Sequence, residues 1–243
     1  MGSAMSVTLK LDWCAHDAAE YAVTHWHYSK CLPASKSQYI GVWEDGKFIG
    51  CVCFGMGAGN ITKGKLYDLP LMNMAELTRV ALAPHKSQVS RIVSIALRMV
   101  KQKNTGLRLI VSLADPFRGH IGSIYQAGGW IFVGETSVSK TYVDHDGREH
   151  HERVVSPTGF KKQYGRYVPC LKPQDAETIR VNPGKFKYLM PLDDEMRKRI
   201  EPLRKPYPKR AGSADAARSP IQVGGGGSIP TPALAEGVEC VTA

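Results

Sequence analysis

The sequence predicts an α/β domain. Short apolar segments bounded by turn residues recur along the first two-thirds of the chain. Asp-Gly pairs join some of them as hairpins, and one stretch switches to helical spacing. The chain has 243 residues, 43% of them hydrophobic, enough to bury a core of ordinary domain size.

The elements follow in order. Asp17 to Trp26 reads as a helix supported by Ala18, Ala19 and Ala22 and ended by His25-Trp26-His27-Tyr28-Ser29. Gln38 to Trp43 and Lys47 to Phe54 form a hairpin around Asp45-Gly46; Cys51 and Cys53 alternate on one face of its second strand. Asn60 to Asn73 is a loop. Glu76 to Leu82 is a strand stopped by Pro84. Val89, Ile92, Val93, Ala96 and Val100 mark one face of a core-facing helix. Leu107 to Leu113 suits a buried strand, His120 to Ala127 a short helix stopped by Gly128-Gly129, and Trp130 to Glu135 a further strand. Thr141 to His145 and Arg148 to Val154 form a second hairpin around Asp146-Gly147, so His145, His150 and His151 read as an exposed turn rather than a metal cluster.

Beyond Ser156 the composition changes. Residues 160–210 hold fourteen Lys or Arg against six Asp or Glu, a net of +8 of the chain's +10. Tyr164, Tyr167, Phe186, Tyr188 and Tyr207 interleave these charges. Such a stretch is a solvated wrap around the domain or a clamp on phosphates with rings for stacking, and its steep charge segregation favours the clamp, including Lys161, Lys162 and Arg166. The expected organisation is a catalytic domain over 1–168, a basic extension over 169–210 and a disordered Ala/Gly/Ser/Pro tail over 211–243. No apolar run is long enough for a membrane helix and no secretory signal opens the chain, so a cytoplasmic protein without a membrane partner is expected. The basic balance points to nucleic acid.

Several segments carry a resemblance. The order hairpin, strand, helix, strand, short helix, strand, strand resembles that of the GCN5-related N-acetyltransferase superfamily, with Ser123-Ile124-Tyr125-Gln126-Ala127-Gly128-Gly129-Trp130 as its most similar segment. That likeness implies a mixed, largely antiparallel central sheet flanked by helices, with the basic stretch as an extension. A sharper resemblance is to the Mom family of phage DNA-modification proteins. It rests on His27-Tyr28-Ser29-Lys30, Tyr39-Ile40-Gly41-Val42-Trp43, Glu76-Leu77-Thr78-Arg79-Val80, Val89-Ser90-Arg91, Ser112-Leu113-Ala114-Asp115-Pro116, Ile124-Tyr125-Gln126-Ala127 and Ser156-Pro157-Thr158-Gly159. The match runs from about Trp13 to Tyr167. It implies a transferase adding a carbamoylmethyl group to the exocyclic amine of adenine in double-stranded DNA, protecting phage genomes from restriction.

The resemblance and the residue types name candidates together. Asp115 follows a buried strand at its carboxyl end, where it can accept a proton from an attacking amine or simply cap an Asp-Pro turn. The resemblance makes His27 and Tyr28 active-site candidates, His27 as a proton relay. Tyr28, Tyr39 and Tyr125 each offer a phenol to an oxyanion or a ring to a base. Glu76 and Arg79 fall on opposite faces of their strand unless a twist or bulge intervenes. Where acetyltransferases carry a Gly-rich loop for the CoA pyrophosphate, this chain has His85-Lys86-Ser87-Gln88-Val89-Ser90. Lys86, Ser90 and Arg91 at that helix start are the candidate donor-binding residues, with Ser90 either an N-cap or an anion ligand. The donor is activated glycine, with glycyl-tRNA as one source, or acetyl-CoA. By ligand type His27 and Asp115 also suit iron, although no third ligand is evident. Two other readings stand: an acetyl-CoA-dependent N-acetyltransferase acting on a protein or small-molecule amine, and a non-catalytic DNA-binding protein.

Overall fold

A computed structural model describes residues 7–33, 35–56, 67–163 and 165–209. Its strands are β1 (Leu9–Trp13), β2 (Ser37–Glu44), β3 (Lys47–Gly55), β4 (Met74–Leu82), β5 (Leu109–Ala114), β6 (Ile131–Glu135), β7 (Ser139–Val143), β8 (Glu149–His151), β9 (Phe160–Gln163), β10 (Arg166–Pro169), β11 (Thr178–Asn182) and β12 (Phe186–Pro191). Its helices, numbered in order, are α1 (His16–Trp26), α2 (Val89–Lys103), α3 (Ser123–Ala127) and α4 (Asp194–Ile200). The main sheet has seven strands in the order β1-β2-β3-β4-β5-β12-β6. Every pairing in it is antiparallel except β4 with β5. This is the mixed, mainly antiparallel sheet the sequence predicts.

Helices cover both faces because the central strands are apolar on both. On one face α2 buries Ile92, Val93, Ala96, Leu97 and Val100 against Ile40, Val42, Val52, Phe54 and Leu77. On the other, α1 presents Ala19, Ala22 and Val23 to Cys51, Cys53 and Ala81. Those small side chains let the helix axis approach the sheet closely. Further along that second face, α4 packs Met196 and Ile200 over Leu109, Val111 and Leu189. The β2–β3 turn is built as its Asp-Gly pair requires, with positive φ at both Asp45 and Gly46.

The basic segment requires a correction to the expected domain boundary. Residues 169–210 are not an appendage: β12 inserts between β5 and β6, and β11 pairs with β7 in a separate three-stranded sheet with β8. Tyr188 and Leu189 are fully buried on opposite faces, and Tyr207 donates to the Trp130 carbonyl at 2.6 Å. Each apolar side chain buried this way contributes about 1.5–3 kcal/mol, enough to draw a lysine-rich segment into the sheet. Residues 210–243, which include the expected tail, Tyr164, and residues 60–66 of the predicted 60–73 loop lie outside the described residues.

The β12–α4 corner is held by charge. Asp193 caps α4 by accepting from the Met196 amide at 2.8 Å, and it receives two hydrogen bonds from Arg108, both 2.8 Å. The guanidinium holds the Asp193 carboxyl down to about 2. Asp193→Ala should therefore cost about 2 kcal/mol, the sum of a lost cap and a lost partly exposed charge-assisted pair. Denaturant midpoints measure this. Because the folded-state value is depressed, the contribution is present above the ordinary carboxylate range and disappears as pH falls towards 2.

Candidate active site

The parallel pair β4–β5 stays in register only from Met74 opposite Leu109 to Leu77 opposite Ser112. Beyond that point both strands continue unpaired with each other, so the sheet opens. A bulge assists: β3 shifts register against β4 between Cys53 and Phe54, leaving Thr78 as the extra residue. The opening is the floor of two cavities. One, about 580 Å³, runs from the end of α1 to the start of α2; the other, about 800 Å³, lies towards β6 and the small sheet. Thr78, Arg79 and Leu113 line both. The bulge also resolves the strand-alternation conflict, since Glu76 and Arg79 both line the second cavity.

Four of the five expected catalytic residues, His27, Tyr28, Asp115 and Tyr125, line the first cavity. Tyr125 reaches it from α3. Its hydroxyl lies 2.7 Å from Ser112 Oγ, which also donates to the Leu77 carbonyl at 2.9 Å, so this polar link closes the base of the opening. Burial pushes the Tyr125 phenol up to about 12, keeping it a proton donor. Asp115 performs its turn-capping role and faces the cavity as well. One carboxylate oxygen accepts from the Phe117 amide at 3.0 Å; the other lies 3.7 Å from Lys185 Nζ. Tyr28 packs beside His27 and His120, with ring centroids 4.4 and 5.5 Å away, and burial followed by the Asp115 charge raises its phenol.

His27 is held neutral. Its Nδ1 accepts from the Ser29 amide at 3.1 Å and also contacts Ser29 Oγ at 2.8 Å. A neutral imidazole that accepts at Nδ1 carries its proton on Nε2. Burial, then the Arg79 charge, lowers its pKa to about 4. The ring is thus a neutral donor at neutral pH. Folding suppresses protonation between 6.5 and about 4, so the native state binds fewer protons there and loses stability as pH falls through that window. Denaturation of the wild type and of His27→Phe at pH 7.5 and pH 5 measures this: the wild type should lose more stability on acidification.

Other expected residues lie elsewhere. Tyr39 is not a wall of either cavity; it packs edge-on against His16, 5.7 Å between centroids, beside α1. The α2 start differs from expectation too. Gln88, not Ser90, is the N-cap, and Ser90 lies inside the helix with its carbonyl accepting from Ser94. The amides of Lys86 and Ser87 are already taken by the Glu44 carboxylate at 2.9 and 2.8 Å. A protein carboxylate thus takes the two backbone amides just ahead of the helix. Of that segment only His85 and Val89 line the cavity; Lys86, Ser90 and Arg91 do not. The grouping of three ligand atoms found among the described residues is His16, Asp17 and Glu20, all exposed, and it includes neither His27 nor Asp115. Lys161, Lys162 and Arg166 lie on the separate β9–β10 hairpin beside exposed Phe160 and Tyr167. Burial first, then the Arg153 charge, with Lys185 and Lys161 adding less, lowers the pKa of His151, a wall of the second cavity.

The structure adds Arg79, His120, Lys185 and Lys187 to the cavity walls. Arg79 donates to the Cys31 carbonyl through Nε at 3.2 Å and to the Thr78 carbonyl through Nη1 at 2.8 Å, which fixes its guanidinium at the junction of the cavities. His120 sits between two glycines of positive φ, Gly119 and Gly122, so the helix expected from His120 begins only at Ser123.

A mixed sheet whose one parallel pair opens beside proton-handling side chains defines the class: a transferase of acetyltransferase-like fold. The chain belongs to the Mom protein family, whose profile matches residues 8–209. Over 191 residues it is 28% identical to the methylcarbamoylase Mom of Escherichia phage Mu, covering 75% of this chain and 76% of that protein. Among solved structures, an acetyltransferase of Bacillus subtilis in complex with CoA is 14% identical with a TM-score of 0.42, covering 77% of this chain and 100% of that one. FeeM, an N-acyl amino acid synthase from uncultured soil microbes, is 11% identical with a TM-score of 0.43, covering 81% and 96%. No described helix is long and apolar enough to cross a membrane.

Proposed function

We propose that this protein adds a carbamoylmethyl group to the exocyclic amine of adenine in double-stranded DNA, acting in the host cytoplasm. The observation that carries the reading is the meeting of His27, Tyr28, Asp115 and Tyr125 at the opening of the sheet, in a member of the Mom family. A base inside a duplex cannot reach such a cavity, so the adenine leaves its stack. Asp115 takes a proton from the attacking amine, His27 Nε2–H donates to the developing oxyanion, and the Tyr125 phenol protonates the leaving atom.

The product fixes the donor chemistry. Acetyl transfer alone gives N–C(=O)–CH3, which lacks a nitrogen. An activated glycyl ester or thioester supplies it. The adenine amine displaces the leaving group, which departs with one proton, giving N–C(=O)–CH2–NH2. The new amine then attacks the ring carbon bearing the substituent, closing a five-membered ring. Collapse breaks the original ring carbon–nitrogen bond, and that nitrogen takes the proton released by the attacking amine. The result is N–CH2–C(=O)–NH2, with no other atom gained or lost. High effective molarity favours the second step. Glycyl-tRNA is the source of activated glycine that agrees with the missing Gly-rich loop at residues 85–90 and the basic composition. Feeding nitrogen-labelled glycine and fragmenting the modified nucleoside tests the order of steps: label belongs on the ring-attached nitrogen. Label in the terminal amide overturns the rearrangement.

Nucleic-acid binding by the β9–β10 hairpin is part of this reading. Neutralising Lys161, Lys162 and Arg166 should lower the slope of log affinity against log salt by about 0.9 for each phosphate that the hairpin ceases to neutralise. An unchanged slope, measured by anisotropy on duplex DNA, removes the hairpin from the interface.

A further inference from the structure

The second cavity contains an unusual charge. Lys187 lies on β12, with Leu113 beside it on β5 and Gly134 on β6, so it is inside the main sheet rather than on an edge strand. Its neighbours Phe186 and Tyr188 belong to the core on the α2 face. Lys187 faces the other way, into the cavity. Its ammonium makes no hydrogen bond and no ion pair among the described residues, and burial lowers its pKa. Arg153, which also lines this cavity, likewise has no ion-pair partner among the described residues. Lys185 contributes a third cation, held only loosely by Asp115 at 3.7 Å.

Placing an ammonium on a central strand without an anion is costly, and an apolar residue of similar length would ordinarily stand there. The charge is kept where no described residue answers it. The walls are not uniformly basic: Glu76, Glu135 and Glu152 also line them, and Glu152 accepts from the Lys140 amide at 3.0 Å. None of these carboxylates forms an ion pair with Lys187. The cavity, which shares Thr78, Arg79 and Leu113 with the one that Asp115 lines, therefore presents two cations that no described residue pairs with.

We propose that Lys187 and Arg153 form the seat for a DNA phosphodiester adjoining the target adenine, so that the acceptor nucleotide enters through the second cavity and its amine reaches Asp115 across the opening at Thr78 and Leu113. This rests on the reading of DNA as the substrate. The seat does what a salt-dependent surface cannot: it fixes one phosphate relative to the catalytic carboxylate and so sets how far the base extends into the opening.

The test is a binding cycle read by fluorescence anisotropy. The probe is a single-stranded oligonucleotide with one adenine, made either with ordinary phosphates or with neutral methylphosphonates flanking that adenine. The wild type should bind the neutral form roughly tenfold more weakly. Lys187→Met should bind the ordinary form more weakly by a similar factor and show little further loss with the neutral form. Lys187→Arg keeps the charge and should restore the discrimination; Arg153→Met gives an independent arm, with the partial loss expected of one of two cations. A wild type that binds no DNA overturns the reading of the substrate. A wild type that binds both oligonucleotides equally, or variants whose losses add fully to that of the methylphosphonate, overturns this seat alone.

Discussion

Asp115→Asn should lower the yield of modified adenine by at least about a hundredfold, the usual scale for losing a positioned proton acceptor. The asparagine oxygen still caps the Phe117 amide, and what is lost structurally is an ion pair with Lys185 that is already long at 3.7 Å. The fold should therefore survive, and thermal unfolding should shift little. Tyr125→Phe makes the same point from the other side of the opening. The ring keeps its packing against Trp130 and Tyr188, at 5.0 and 5.2 Å between centroids, and Ser112 keeps its bond to the Leu77 carbonyl. What is removed is the hydroxyl, with its dissociable proton and its 2.7 Å link to Ser112 Oγ. Near-normal yield from either soluble variant removes that residue from the chemistry.

Gly122→Ala is the second large effect expected, and it acts through the backbone. Gly122 is the N-cap of α3 with φ of 79°, a conformation that costs an L side chain about 1–2 kcal/mol. An added Cβ would meet the Tyr188 ring at 2.4 Å. That ring is fully buried and its hydroxyl is tied to the Ile121 carbonyl, so it cannot swing away. Overpacking adds about 1–3 kcal/mol, for a total of about 3 kcal/mol. Whatever relaxation occurs shifts α3, and with it Tyr125. Both unfolding midpoint and modified-base yield should fall; a variant as stable and active as the wild type contradicts this account of the α3 start.

The apolar framework of residues 17–154 was legible in the sequence, because hairpin signals and the spacing along α2 each have one simple physical reading. The β5 end was legible as a site for the same reason: a strand ending in Asp-Pro both turns the chain and exposes a carboxylate. The strand β12 was not. Phe186-Lys187-Tyr188-Leu189-Met190 sits among prolines and lysines, and a central strand buried on both faces shows no alternation to find. Lys187 looked like one more surface charge for that reason. Arg79 was set aside by strand alternation, which the Thr78 bulge breaks. The missing glycines at residues 85–90 were legible, but Glu44, which takes the Lys86 and Ser87 amides there, comes from more than forty residues away and only the fold brings it there.

The central claim is chemical, and one measurement reaches it directly. Plasmid DNA from cells expressing the wild-type protein, and from cells expressing Asp115→Asn at equal soluble level, is digested to nucleosides and analysed by intact mass with fragmentation. The account predicts deoxyadenosine carrying a carbamoylmethyl group on its exocyclic nitrogen in the first sample and its near absence in the second. An acetylated base would instead support a simple acetyltransferase, and deoxyadenosine left wholly unmodified by soluble, folded wild-type protein would contradict the account.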